Sequence, residues 1–219
     1  MIKGLLLDFY GTVVEDDDST MLAIAERVAA GSPAHPARSV VMTDWEREYA
    51  AVASGTPFRN LRDCAVQSLA AVMAAHGCAG DPAEFGAGQF SGRVLPLRRG
   101  TREFLSQVTA PICVVSDADH AVLTAAIAHH GLAFDAVVCS ERVGAYKPHA
   151  AMFRHGLAAL GLEAGDVMHV GDSLRADVAG ANAAGIRSVW VNRRGLPAED
   201  GAAATRVIGD LSELAGHLR

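Results

Sequence analysis

The chain has 219 residues, half of them hydrophobic, and a net charge of −6 at pH 7. This length allows a sizeable core, either in one large domain or in a core with a smaller module. The acidic balance and an aromatic content of only 5% argue against nucleic acid as the main partner, which would require a basic surface and stacking side chains.

Membrane insertion and secretion are also disfavoured by the sequence. No apolar run approaches the roughly 18–20 residues that a membrane-spanning helix needs, and the N-terminus lacks the combined features of a signal peptide. The cysteines form no C-x-x-C pair, and Cys113 and Cys139 lie within apolar runs, where a thiol usually acts as a small hydrophobic group. We therefore expect a reduced, cytoplasmic protein with no membrane partner.

The first predicted element is a buried strand that ends at Asp8. Residues 2–7 are largely apolar, and in open α/β sheets the C-terminal ends of the strands form the edge where ligands bind. Gly11 and Thr12 follow, and they allow a sharp turn whose N–H groups can face an anion. A carboxylate beside an anion site indicates either a bound cation or a carboxylate that attacks the central atom of the anion.

The next segment, residues 15–93, has helical patterns and no convincing strand. The predicted helices cover residues 19–30, 40–53 and 61–77, with Ser19 as a plausible N-cap of the first. Glycine and proline at 31–33 and 55–57 mark the breaks between them. The pattern predicts an all-helical insertion after the first strand.

From residue 112 onward, short apolar runs alternate with helical patterns. The predicted strands are 112–115, 136–139, 167–170 and 188–191, and the predicted helices are 121–131, 150–160 and 177–184. Strands without polar alternation, separated by helices, indicate a parallel sheet that is covered on both faces. We expect a three-layer α/β core formed by residues 1–14 and 94–219, interrupted by the helical segment 15–93.

Polar residues follow the ends of these strands and should therefore converge on one cleft. They are Asp8 with Thr12, Ser116, Lys147, and Asp172 with Asp177. A carboxylate can attack phosphorus, and hydroxyl and ammonium groups can hold and neutralise phosphoryl oxygens. Additional carboxylates can hold Mg²⁺. These residue types suit phosphoryl transfer.

The same residues resemble the four motifs of the haloacid dehalogenase-like hydrolase superfamily. The motifs are Asp8-x-x-Gly11-Thr12-Val13, Ser116, Lys147-Pro148, and Gly171-Asp172-x-x-x-x-Asp177. The resemblance covers nearly the whole chain in order and spacing, and the helical insertion is similar to the family's small helical cap. It implies a Rossmann-like core and a nucleophilic Asp8. It also implies a Mg²⁺ site formed by Asp8, the backbone carbonyl of Tyr10, Asp172 and Asp177.

One position departs from the phosphatase pattern of this family. Phosphatases usually carry a second Asp two residues after the nucleophile, where this chain has Tyr10. Tyr10 at this position resembles the 2-haloacid dehalogenase branch. Asp172 and Asp117 resemble the phosphatases, because the dehalogenases usually lack the motif-four Gly-Asp and tend to have Asn after the motif-two serine. Asp8 and Asp172 would repel one another without a cation between them, which favours a metal-dependent phosphatase.

We therefore expect a Mg²⁺-dependent phosphatase of a small phosphorylated metabolite, a sugar phosphate or a nucleoside monophosphate, in a monomer or homodimer. The alternatives are a metal-independent 2-haloacid dehalogenase and a catalytically weak protein that binds a ligand or a protein partner. The expected catalytic residues are Asp8, Tyr10, Ser116 and Lys147, and the expected substrate-binding residues are Thr12, Ser116, Asp117, Lys147, Arg59 and Arg62.

Overall fold

The computed structural model describes residues 2–86, 94–198 and 203–214. The chain divides into two compact units. The α/β unit consists of Met1–Asp16 and Leu95–Arg219, and the helical unit consists of Asp17–Val94.

The α/β unit is built on a six-stranded sheet with the strand order β3-β2-β1-β4-β5-β6. Every pair of neighbouring strands is parallel, which confirms the predicted fold class. The strands are β1 (Gly4–Leu7), β2 (Ile112–Ser116), β3 (Ala136–Cys139), β4 (Val167–Gly171), β5 (Arg187–Val191) and β6 (Arg206–Ile208). The sequence did not predict β6, because this short edge strand exposes Val207 and has no apolar run.

Both faces of the sheet are buried, as the alternation along β1 demonstrates. Leu5 and Leu7 pack on one side with Phe104, and Leu6 packs on the other side with Phe153. Helices therefore cover both faces and form the outer layers of a three-layer core. The helices of this unit are Thr101–Gln107, His120–His129, Ser140–Val143, Ala150–Leu160 and Gly180–Ala183, with 3-10 turns at Ala164–Asp166 and Leu211–Leu214.

The segment after β4 differs from its prediction. A helix was expected over residues 177–184, but a π-helical turn forms over Leu174–Ala179 and is followed by a short helix over Gly180–Ala183. The Ser173 hydroxyl accepts a hydrogen bond from the Ala176 amide at 3.1 Å and so caps the turn. Asp177 consequently lies inside the turn rather than at the start of a helix.

The helical unit contains the helices Asp18–Gly31, Arg38–Ala53, Leu61–Ala75 and Pro82–Phe85. Trp45 is fully buried in its core, and its indole N–H donates to the Ser68 hydroxyl at 2.9 Å. The first helix begins at Asp18, so the prediction that Ser19 caps it was wrong. Within the described residues, the structure contains no helix with the length and hydropathy needed to cross a membrane.

Candidate active site

The C-terminal ends of β1 and β4 lie side by side at the point where the strand order reverses. Leu7 pairs with Val170, and the Asp8 amide donates to the Val170 carbonyl at 2.9 Å. Asp8 therefore lies beside Gly171, the last residue of β4, and beside Asp172, which follows it. Open α/β sheets bind their ligands at this kind of switch point.

Lys147 reaches into this edge and joins two carboxylates. Its Nζ donates to Asp8 Oδ1 at 2.7 Å and to Asp177 Oδ1 at 2.6 Å, and all three side chains are almost completely buried. Burial alone would lower the pKa of Lys147, but the negative charges of Asp177, Asp8 and Asp117 outweigh it and raise that pKa. The carboxylates around it therefore favour the charged form of Lys147. Its backbone amide also donates to Asp117 Oδ1 at 2.9 Å, which holds the lysine segment against the end of β2.

Asp177 is held by three donors. Oδ1 accepts from Lys147 and from His169 Nε2, the latter at 2.8 Å, and Oδ2 accepts from the Ser173 amide at 3.0 Å. Burial would raise the pKa of Asp177, but Lys147 and His169 outweigh it and hold that pKa well below its usual range. The side chain of Asp177 packs so closely on β4 that a Cβ at position 171 would overlap its carboxyl carbon. Gly171 is thus required by this contact.

Asp8, Asp172 and Asp177 form a compact group of carboxylates. One oxygen of each lies within 4.8 Å of the others. Burial, followed by the charges of Asp8 and Asp177, raises the pKa of Asp172 to about 7. Burial also raises the pKa of Asp8, although the Lys147 cation opposes that shift. Clustered carboxylate oxygens are the donor set that a hard divalent cation such as Mg²⁺ prefers.

The loop after β1 closes over this group. Gly11 has a φ of +84°, and a Cβ at this position would overlap the Asp172 carboxylate. Arg193 stabilises this loop, because its guanidinium donates to the Gly11 carbonyl at 2.9 Å and to the Thr12 carbonyl at 3.1 Å. Trp190 donates from its indole N–H to the Asp172 carbonyl at 2.8 Å and fixes the opposite side.

Several buried polar atoms at this edge have no hydrogen-bond partner among the described residues. They are Asp8 Oδ2, the Tyr10 hydroxyl, the Thr12 hydroxyl, the Ser116 hydroxyl and His169 Nδ1. Buried polar atoms are nearly always paired in folded proteins, and exceptions commonly mark a binding site. Here they belong to the predicted site residues, or, in the case of His169, to a residue bonded to one of them.

Two further predicted residues have perturbed acidities. Burial, followed by the charges of Asp119 and Asp8, raises the pKa of Tyr10 to about 12, so its phenol is a neutral hydrogen-bond donor. Burial raises the pKa of Asp117 to about 6. Asp119 was not predicted as a site residue, although it lies just beyond β2, whose last residue is Ser116.

The two arginines that were predicted to contact substrate lie in the helical unit. Arg59 directly precedes Asn60, which caps the helix Leu61–Ala75 by accepting from the Asp63 amide at 2.8 Å. The Arg59 guanidinium donates to the Pro57 carbonyl at 3.3 Å, and Arg62 is exposed in the first turn of the helix. A role for them in substrate binding stays a prediction.

His169 and Arg193 were not predicted as site residues. The signal for His169 was a titratable side chain within the otherwise apolar strand pattern at 167–170. Arg193 carried no comparable signal, because an arginine that follows a strand usually lies in solvent.

Comparison with known proteins identifies the family to which the chain belongs. The sequence model of the family described as haloacid dehalogenase-like hydrolase matches residues 2–185. Phosphoserine phosphatase of Thermus thermophilus is 40% identical over 90 residues, which are 41% of this chain and 35% of that protein. Ribulose-1,5-bisphosphate 5-phosphatase of Halopiger xanaduensis is 35% identical over 98 residues, which are 44% of this chain and 41% of that protein. The matches thus span well under half the length of these relatives.

The fold is shared with a dehalogenase. The structure of L-2-haloacid dehalogenase from Xanthobacter autotrophicus superposes with a TM-score of 0.76 at 20% identity, over 98% of this chain and 97% of that one. At this identity the likeness concerns the fold alone, and the choice between the two chemistries depends on the residues of the site.

Proposed function

Because the chain belongs to the haloacid dehalogenase-like hydrolase family, we propose that it is a Mg²⁺-dependent phosphatase of a small phosphorylated metabolite. The observation that carries this proposal is the buried, unpartnered set of Asp8 Oδ2 and the Thr12 and Ser116 hydroxyls beside the Lys147 cation. One nucleophilic oxygen, hydroxyl donors and a fixed positive charge are the groups that a phosphoryl site needs.

The chain's own residues supply the nucleophile and its activation. Lys147 binds Asp8 Oδ1, which leaves Oδ2 available to attack phosphorus. The new bond joins Asp8 to phosphorus while the ester bond to the leaving alcohol breaks, and that alcohol takes up a proton from solvent, which the attacking water returns in the second step. Water then attacks the phosphorus of the aspartyl-phosphate, releases inorganic phosphate and restores the carboxylate. Lys147 and the Ser116 hydroxyl stabilise the negative phosphoryl oxygens in both steps.

The carboxylates fit a divalent cation. Asp8 and Asp172 would hold Mg²⁺, with the Tyr10 carbonyl and Asp177 as further candidates that the family resemblance suggests. When bound, the ion neutralises the phosphoryl oxygens and the adjoining carboxylates. The fit is supported by the raised pKa of Asp172, which reflects burial and the neighbouring charges of Asp8 and Asp177.

Tyr10 is the specific observation that favours a second candidate, the 2-haloacid dehalogenase. Halide leaves without a proton, so the reaction needs no acid at position 10, and the unpartnered phenol there could bind a haloacid. However, a haloacid carries its own carboxylate, which would meet the negative charges of Asp8, Asp172 and Asp177 without the divalent cation that would accompany a phosphoryl group. We therefore rank the phosphatase first.

The substrate we propose is a sugar phosphate or a nucleoside monophosphate. The names of the two phosphatase relatives support a small organic phosphate, and the fold itself makes no choice. We propose that the helical unit acts as the cap that selects the leaving group, with Arg59 and Arg62 as candidate contacts.

The decisive experiment is a panel of phosphorylated metabolites and 2-haloacids, each assayed with Mg²⁺ and with a chelator. The proposal requires release of inorganic phosphate that depends on Mg²⁺ and disappears in Asp8→Asn. Halide release that persists in chelator would establish the dehalogenase instead. Binding of a phosphorylated metabolite without turnover of any compound would support the third reading, a weak enzyme that serves as a binding protein.

A further inference from the structure

His169 occupies an unusual position for a titratable residue. It lies in the middle of β4, it is completely buried, and its ring packs edge-to-face on Phe153 with 5.2 Å between the ring centres. Its Nε2 lies 2.8 Å from Asp177 Oδ1. Because the Asp177 carboxylate can only accept, Nε2 must carry the proton of this bond.

His169 is the last member of a chain of buried contacts that starts at the proposed nucleophile. Asp8 Oδ1 binds Lys147, Lys147 binds Asp177 Oδ1, and that same oxygen binds His169. The imidazole therefore competes with Lys147 for one oxygen and limits how far the lysine is drawn away from Asp8. It also fixes the orientation of the Asp177 carboxylate, together with the Ser173 amide at the other oxygen.

We infer that His169 is a positioning residue, which orients Asp177 and, through it, sets where Lys147 lies relative to Asp8. The consequence for the metal rests on the proposed function. Hydrogen-bonding partners that orient metal-binding carboxylates contribute about 10–100-fold to metal affinity or activity when they are removed. His169 touches neither the reacting atoms nor the proposed metal and acts only through Asp177.

The test replaces His169 by two amide side chains of different length, glutamine and asparagine. His169→Gln retains an N–H donor at about the reach of Nε2, whereas the shorter amide of His169→Asn does not reach Asp177. His169→Leu removes the donor and restores side-chain volume, so a loss shared by Asn and Leu cannot come from a cavity. Met168→Leu, on the opposite face of β4, controls for changes to the strand itself.

The first readout requires neither metal nor substrate. The sequence contains only two lysines, Lys3 and Lys147, so protein labelled with ¹⁵N at lysine Nζ gives two ammonium signals, and Lys3→Met assigns them. In the parent protein the Lys147 signal should exchange slowly with water, because the ammonium is buried and bonded to two carboxylates. We expect this signal to shift and to exchange several-fold faster in the Asn and Leu variants, and to stay near the parent in Gln.

The second readout is the dissociation constant of Mg²⁺, measured by calorimetry on substrate-free protein, with kcat, KM and unfolding free energy measured alongside. The Asn and Leu variants should bind Mg²⁺ about 10–100-fold more weakly and lose kcat more than KM, and Gln should recover most of both. Equal effects in all three variants, or an unchanged Lys147 signal in Asn and Leu, would overturn the inference. If the parent protein binds no Mg²⁺, the proposed function fails, and the Lys147 signal still decides the role of His169.

Discussion

Replacing Lys147 by methionine tests the electrostatic arrangement on which the whole site depends. Methionine has nearly the same length but no charge, so it leaves Asp8 and Asp177 buried without their cation. The side chains are only 3%, 5% and 2% exposed for Lys147, Asp8 and Asp177, and both ion pairs are shorter than 3 Å. Removing one partner of such a buried pair costs about 3–5 kcal/mol, because the remaining charges are left uncompensated.

The size of this loss should depend on pH in a defined direction. Burial opposes the charge of Lys147, but its carboxylate partners raise the pKa of that side chain. The charged side chain therefore stabilises the folded protein at every pH below the ordinary lysine pKa of about 10.4. The pKa of Asp177 is lowered, because Lys147 and His169 outweigh the effect of burial. The ionised Asp177 carboxylate therefore adds to the free energy of unfolding above about pH 4, and this addition is lost as the pH falls through the pKa of Asp177 in the folded protein. The deficit of Lys147→Met should be full at about pH 7–8. It should shrink as the pH falls towards about 4, because burial without the Lys147 cation raises the pKa of Asp8 and Asp177 in the variant and these carboxyls take up protons.

Lys3→Met supplies a matched control for this experiment. Lys3 also forms an ion pair, 3.0 Å from Asp166, but the two side chains are 60% and 32% exposed, so its loss should cost no more than about 1 kcal/mol. Urea unfolding followed by Trp190 fluorescence, in a Trp45→Phe background, reports on the α/β unit. Equal losses in the two lysine variants, or a deficit in Lys147→Met that does not diminish in acid, would refute the reasoning.

Three other changes test the proposed chemistry. Asp8→Asn should reduce phosphate release to background with the fold intact by circular dichroism; substantial residual turnover would exclude the covalent route. Asp172→Asn should weaken Mg²⁺ binding. Burial and the charges of Asp8 and Asp177 raise the pKa of Asp172 to about 7, so at about pH 8 the folded protein bears an unfavourable charge at this position. The substitution should therefore stabilise the metal-free protein by about 1–3 kcal/mol at that pH. A metal-free variant less stable than its parent there would contradict this. Tyr10→Asp should flatten the slope of log kcat/KM against leaving-group pKa, mainly by accelerating alkyl phosphates; equal slopes would mean that the proton already comes from another group.

The sequence predicts the core of the sheet well, because buried parallel strands have a pattern that local inspection can recognise. The run at 136–139 corresponds residue for residue to β3, and the strand predicted at 112–115 extends by only one residue, to Ser116. The edge strand β6 and the helix Thr101–Gln107 escaped prediction, because they are short and their stability comes from contacts with residues distant in the chain. Leu211 and Leu214, which join the same buried cluster as Phe104, provide such contacts.

The site was predicted only in part, and the difference has a physical reason. Asp8, Lys147 and Asp177 have recognisable positions at strand ends, so their convergence follows from the topology of a parallel sheet. The residues that support the site have no recognisable position in the sequence. His169 contacts Asp177 across a turn, and Arg193 contacts the loop after β1 from a distant part of the chain. The bonds from Arg193 to the carbonyls of Gly11 and Thr12 join residues about 180 positions apart, and no local pattern encodes them.

The conflict between Tyr10 and the other motifs can be resolved through charge rather than through likeness. The positive charge of Lys147 is shared between two carboxylates of this group, Asp8 and Asp177. Asp172 is therefore left with surplus negative charge around it, and burial and that charge raise its pKa. A reaction that adds a carboxylate-bearing substrate would increase this surplus, whereas a cation together with a phosphoryl group would balance it. Burial and the charges of Asp119 and Asp8 raise the pKa of Tyr10 to about 12, so its phenol is neutral. A neutral phenol is compatible with either chemistry, and the charge around Asp172 therefore decides in favour of the phosphatase.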